Sequence, residues 1–222
     1  MAKRGTPAAR HADGASRAAL RRVPQQARSR ARVDVILRTA RRLIGEGREV
    51  SMREIAGTAK VPIASVYQYF PDKTALLRAL LVQFYDRMRG RLEAALTLVR
   101  TVDDVPTFTD AMIDGLVIEL GAARAHFNVW AAAQSSELLR ELDMKDALEL
   151  ADLVTKRFQA IGDGMDPDAV RDISVFAVIM AGPVVRQSFV MPKLEGDRIV
   201  RELKTLIRLR ATALAASRTR AP

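Results

Sequence analysis

A chain of 222 residues with 49% apolar content is long enough to bury a sizeable core, which excludes wholesale disorder. The absence of cysteine excludes a disulfide scaffold, a thiolate metal site and a cysteine nucleophile, and with His11 and His126 as the two histidines a His-rich metal centre is excluded too. The net charge of +10 belongs to the front of the chain, where residues 1–89 carry 19 Lys/Arg against 7 Asp/Glu while residues 90–222 carry 17 against 19, a balance that points to an anionic partner for the N-terminal part.

Aromatic content of 5% favours helices over a β-sandwich or barrel. Residues 1–26 are Arg-rich, nearly free of acid and interrupted by Gly5, Pro7, Gly14 and Pro24, as expected of a flexible cationic arm. Organellar transit peptides share that composition, whereas the apolar stretch of a secretory signal is missing. From Ala27 the spacing of Val33, Ile36, Leu37, Ala40, Leu43 and Ile44 predicts an amphipathic helix ended by Gly45 and Gly47. Ser51 and Glu54 have capping-box spacing and start a short helix to about Thr58. The turn Lys60-Val61-Pro62 leads into a second short helix to Tyr69, and Asp72 is the N-cap of a long helix carrying Leu76, Leu77, Leu80, Leu81, Phe84 and Met88.

The later punctuation predicts only helices. One opens at Asp104 and Pro106, ends near Gly121 and has Phe108, Met112, Leu116 and Leu120 inward. Residues 124–142 form another or two short ones, and a further helix begins at Met144 and stops at Gly162-Asp163-Gly164. Asp166-Pro167 starts a very apolar helix to about Val190, and Pro192 and Gly196 separate it from a last helix over 197–216 with Ile199, Leu203, Ile207 and Leu214 inward. The expected fold is all-α, with about nine helices: a basic arm (1–26), a helix-turn-helix domain (27–73) and a helical C-terminal domain (74–222). The longest mostly apolar stretch, residues 173–185, is too short to span a bilayer, so no membrane partner is expected and the chain is placed in the cytoplasm.

Two short helices about a tight turn, in the most basic part of the chain, outline a helix-turn-helix unit. Residues 50–73, VSMREIAGTAKVPIASVYQYFPDK, also resemble the tetracycline-repressor (TetR) family of bacterial regulators. The resemblance rests on Ser51-x-x-Glu54-Ile55-Ala56, Val61 in the turn, the run Val66-Tyr67-x-Tyr69-Phe70, and Asp72-Lys73 before Leu76-Leu77. Pro62 stands where the family usually has a small polar residue and Ala64 where it often has glycine, which puts the operator sequence beyond reach by analogy.

The resemblance implies a groove-facing helix made of Ile63, Ala64, Ser65, Tyr67, Gln68 and Tyr69. Ser65 and Gln68 can hydrogen-bond base edges, Ile63 or Ala64 can pack on a thymine methyl, and Arg53 can make a bidentate contact to guanine. Tyr67, Tyr69 and Lys73 resemble the family's phosphate contacts, with Ser51 near the backbone. Arg17, Arg21, Arg22, Arg28 and Arg30 precede or begin the first helix and either enter a minor groove or act as a nonspecific cationic tail.

The family implies a homodimer, with Phe176, Ala181, Gly182, Val185, Phe189, Leu203 and Ile207 of the last two helices as its seam. It also implies an unidentified small-molecule effector bound among Phe84, Met88, Phe108, Met112, Phe127, Asn128, Trp130, Gln134 and Phe158, residues that suit an ordinary core equally well. The partner that follows is a double-stranded operator. No catalytic residue, metal or cofactor is expected, because no phosphate-binding Gly-rich loop, nucleophile elbow or metal-ligand spacing occurs. A helical protein that binds RNA or an anionic membrane through its arm is the remaining alternative, although the chain offers few aromatics outside the motif for stacking bases.

Removal of residues 1–26 should flatten the plot of log affinity for duplex DNA against log salt by about 0.9 for each phosphate that the arm neutralises. An unchanged slope in anisotropy titrations would exclude the arm from binding.

Overall fold

The computed structural model of the chain describes residues 27–47, 49–122, 128–131, 134, 136–162 and 164–217, and among these every regular element is helical. The helices are α1 (Ala27–Gly45), α2 (Met52–Thr58), α3 (Ile63–Tyr69), α4 (Lys73–Leu96), a 3-10 turn (Val102–Asp104), α5 (Val105–Ala122), α6 (Glu137–Ile161), α7 (Pro167–Ser188) and α8 (Lys193–Ser217). Residues 128–131 are helical as well. The chain divides into two compact units, one within residues 1–90 and 123–141, the other within 91–122 and 142–222.

In the first unit the apolar stripe of α1 (Val33, Ile36, Leu37, Ala40, Leu43, Ile44) is buried as its spacing predicts. It shares a core with Ile55 of α2, Val66 of α3, Phe70, and Leu76, Leu77, Leu80 and Leu81 of α4. Val129 and Leu139 close the same core, so this unit extends past residue 73. At the end of α1, Glu46 N–H and Gly47 N–H donate to the Leu43 and Ile44 carbonyls at 3.1 and 3.0 Å, and Gly47 takes a φ of 78°, a left-handed conformation that glycine adopts without steric cost. Asn128 Nδ2 then donates to the Ile44 and Gly45 carbonyls at 3.0 and 3.3 Å, satisfying acceptors that a helix end otherwise leaves to water.

The N-terminus of α2 is capped by Ser51, whose Oγ accepts from Glu54 N–H at 3.2 Å. Its C-terminus is a Schellman turn in which Val61 N–H donates to the Ala56 carbonyl at 3.0 Å and Lys60 N–H to the Gly57 carbonyl at 3.2 Å. Lys60 occupies the left-handed position with a φ of 54°, where an L-residue costs about 1–2 kcal/mol. Pro62 opens α3 with no side-chain cap, its carbonyl accepting from Ser65 N–H at 2.8 Å, and Asp72 caps α4 through Oδ1, which accepts from Ala75 N–H at 2.7 Å.

In the second unit α7 packs on α8 and α5 packs on both. Thr101 and Asp104 form a reciprocal capping box; hydrogen bonds from the Thr101 and Arg100 backbones to Asp104 hold its carboxyl below the usual carboxylate range. The ion pairs Lys204–Asp114 (2.6 Å) and Arg208–Asp110 (3.2 Å) join α8 to α5 at partly exposed positions, where such pairs contribute little. Arg157 of α6 donates through both Nε and Nη2 to the Val99 carbonyl. Arg186 of α7 is buried, which pushes its guanidinium down to about 10 against the opposing pull of the Asp143 carboxylate; burial in turn raises Asp143.

Three sequence expectations change. The helix expected to begin at Met144 begins at Glu137, because no glycine or proline interrupts 137–161, and Met144 and Leu148 are exposed. In α5 the buried row is Val105, Thr109, Ile113 and Leu120, with Phe108, Met112 and Leu116 half-buried; both rows satisfy the helical period, and packing against two neighbours selects between them. The last helix starts at Lys193 and takes Gly196 into its first turn, while Ile199, expected inward, is exposed.

Gly196 is buried against the end of α7, where a Cβ would overlap the Ser188 carbonyl, whereas nothing lies within 4 Å of a Cβ at Gly90 of α4. Gly196→Ala is therefore expected to destabilise the protein by about 1–3 kcal/mol, and Gly90→Ala to stabilise it by up to about 1 kcal/mol. Paired urea titrations read both signs, and equal effects would contradict the close approach.

Candidate nucleic-acid interface

A seven-residue helix has no stability of its own, so α3 exists because one side of it is driven into the core. Val66 and Tyr69 point inward with Phe70 just beyond, and the remaining positions form a single outward face of Ile63, Ala64, Tyr67 and Gln68. Ser65 sits half-buried at its edge. Tyr67 is 45% exposed and Tyr69 is 4% exposed, so the two tyrosines of one short helix have opposite duties. Tyr69, expected to face the groove and touch phosphate, is a core residue; two positions separate it from Tyr67, about 200° around the axis.

The outward face is about 10 Å long, a size that the major groove of duplex DNA admits at about 12 Å width. Its chemistry is mixed in the way base recognition requires. Gln68 offers a donor and an acceptor together, Ile63 and Ala64 offer methyl groups, and Tyr67 offers a hydroxyl. On α2, Arg53 is exposed. Ser51 is exposed as well, and since its Oγ accepts from Glu54 N–H its hydroxyl proton remains able to donate. Lys73 is partly exposed and stands 3.6 Å from Glu49, whose side chain is almost fully solvated, so a phosphate could take the place of that carboxylate at little cost. Glu49 was not distinguished in the sequence, where it is one acid in an irregular segment.

Of the arginines expected in the arm, Arg17, Arg21 and Arg22 lie outside the described residues, as does the side chain of Arg28; Arg30 is exposed at the start of α1. Further along α1, Arg32 and Arg38 are exposed, Arg41 donates to Gln83 Oε1 at 2.6 Å and Arg42 pairs with Glu46 at 2.9 Å.

The residues expected to form an effector pocket are divided. Phe84, Met88, Asn128, Trp130 and Gln134 belong to the first unit and Phe108, Met112 and Phe158 to the second, with Phe127 outside the described residues. Phe108 and Phe158 meet edge to face at 5.6 Å. The Asn128 amide is engaged in capping α1, a structural role where a ligand contact was expected.

Of the expected seam residues, Phe176 and Phe189 are exposed and Ala181 and Gly182 half-buried. Val185, Leu203 and Ile207 are buried within the single chain, where α7 and α8 pack on each other, and so are not on its surface. The exposed apolar row of α8 is instead Ile199, Leu206 and Leu209, which heptad-like spacing puts on one face. Both rows of α8 satisfy an amphipathic pattern, so periodicity alone did not separate them. Among the described residues no helix is long and apolar enough to cross a membrane.

Residues 36–80 match the family model for bacterial regulatory proteins of the tetR family, and residues 122–213 match the tetracyclin repressor-like C-terminal domain. A TetR-family transcriptional regulator from Streptomyces coelicolor superposes with a TM-score of 0.63 at 23% identity, covering 84% of this chain and 98% of that one. The TetR family repressor AlkX from Dietzia sp. strain DQ12-45-1b, implicated in biodegradation of n-alkanes, gives 0.52 at 13% identity over 81% and 97%. Both are likenesses of fold. No curated protein sequence matches.

The two tyrosines give a direct test. Tyr67→Ala should leave stability within about 0.5 kcal/mol while weakening retention of duplex DNA, whereas Tyr69→Ala should cost about 3–5 kcal/mol of unfolding free energy. Urea titration beside a gel-shift assay separates the two effects, and a Tyr67 variant that unfolds early would place that ring in the core.

Proposed function

Because this chain belongs to the TetR family of DNA-binding transcriptional regulators, we propose that it is a repressor that grips a palindromic operator as a homodimer and lets go when a small molecule binds. The observation that carries the proposal is the outward face of α3, where Ile63, Ala64, Tyr67 and Gln68 are all exposed while Val66, Tyr69 and Phe70 are consumed by the core. In this reading Gln68, Ser65 and Arg53 contact bases, Ile63 and Ala64 pack on thymine methyls, and Tyr67, Lys73 and Ser51 meet phosphates. Chromosomal DNA as the partner implies a cytoplasmic protein.

A single short reading helix buries too little to bind tightly, and two copies related by a two-fold axis read half-sites about 34–36 Å apart, or multiples of that spacing. Phe176 on α7 and the row Ile199, Leu206 and Leu209 on α8 support a seam between copies, since a lone chain gains nothing by leaving such side chains in water. The effector is proposed to bind in the helical C-terminal part, where Phe108, Phe158 and Met112 offer adaptable, half-buried apolar surface. It must favour a conformation in which the two reading helices no longer fit their half-sites. The helix α4 can carry the change, since Lys73 stands in its first turn and Phe84 and Met88 lie farther along it. A tenfold loss of DNA affinity asks for about 1.4 kcal/mol of coupling.

Selection of bound duplexes from a random pool should return inverted repeats, and metabolite extracts should contain a component that releases them. Leu206→Glu with Leu209→Glu should yield a helical monomer in sedimentation and reduce affinity for a selected duplex by about a hundredfold or more, the loss of avidity. Selected sites without two-fold symmetry, or tight binding by the monomer, would defeat the dimeric reading.

A further inference from the structure

The corner between α2 and α3 holds a residue that folding does not explain. Lys60 is the one non-glycine among the described residues with a positive φ, at 54°, and it occupies the Schellman position where glycine is the favoured residue. Its side chain is exposed, so packing does not compensate the backbone, and among the described residues no carboxylate pairs with it. A change to glycine would relieve the conformation without removing any buried surface, and a strained backbone on an exposed turn points to a role for this side chain outside the fold.

The purpose follows from where Lys60 stands. It lies three residues before α3 begins, and Lys73 lies four residues after α3 ends, so the helix is bracketed by two cations. A helix seated in a major groove has a phosphate backbone on either side, and cations at its two ends are placed to meet both strands. We propose that Lys60 is a phosphate-binding residue of the DNA complex, a counterpart to Lys73 at the opposite end of α3, and that it is kept in a left-handed turn for its charge. The inference rests on α3 being the helix that enters the groove.

Its rival is local: a lysine at the end of α2 could serve only to offset the helix dipole there. The two roles predict different salt dependences for Lys60→Gly, since a charge that serves only the helix leaves the slope unchanged. A phosphate contact kept at a conformational cost predicts a variant that melts higher than wild type yet binds a selected duplex more weakly. Its plot of log affinity against log salt should be flatter by about 0.9, equivalent to about fivefold at 0.15 M salt. Lys60→Arg, which retains the charge on the same backbone, should keep the wild-type slope. A glycine variant with an unchanged slope overturns the proposal, whichever way its melting temperature moves. If the folded wild-type chain selects no duplex at all, the DNA-binding reading and this one fall together; if it does and only the slope is unmoved, this one falls alone.

Discussion

The outward face of α3, proposed above to meet DNA, is held in place by a contact it does not itself make. Val66 and Phe70 are fully buried and Tyr69 nearly so, and their insertion between α1, α2 and α4 turns a segment too short for autonomous helicity into a rigid one. A binding face set on a packed core loses little conformational freedom on docking, so more of its contact energy appears as affinity. The same packing fixes the rotation of α3, and one position of slip would turn Tyr67 inward and bring Tyr69 out.

The ends of these helices matter as much as their faces. Ser51 caps α2 and Asp72 caps α4, while Asn128 reaches from far along the chain to hold the last carbonyls of α1. That last interaction ties residues 128–131 and Leu139 into the DNA-facing unit, although they are distant in sequence from the motif. The unit is thus completed by a segment contributed from the middle of the chain, and a change in that segment would be felt at α1 through a hydrogen bond and a shared core.

The turn between α2 and α3 shows local preference and global role in opposition. Backbone sterics favour glycine at Lys60, and charge near a polyanion favours lysine. Glycine would relieve the backbone there, and the proposed phosphate contact is what would favour keeping the lysine.

Much of this was legible in the residues. Helical periodicity, the caps at Ser51, Asp72 and Asp166, the absence of strand signals and the charge of the first 89 residues determined an all-α chain with a basic reading head, and the motif around Val66-Tyr67-x-Tyr69-Phe70 located its helix-turn-helix. These features are local, set by neighbours within a turn or two. Other assignments were decided only by packing in three dimensions: Tyr69 rather than Tyr67 inside, Asn128 as a cap on α1, Gly196 pressed against Ser188, and Leu203 and Ile207 buried while Leu206 and Leu209 face out. A helix with two apolar rows satisfies the same period whichever row is hidden. The choice belongs to the neighbours that cover it, and those are far away in sequence.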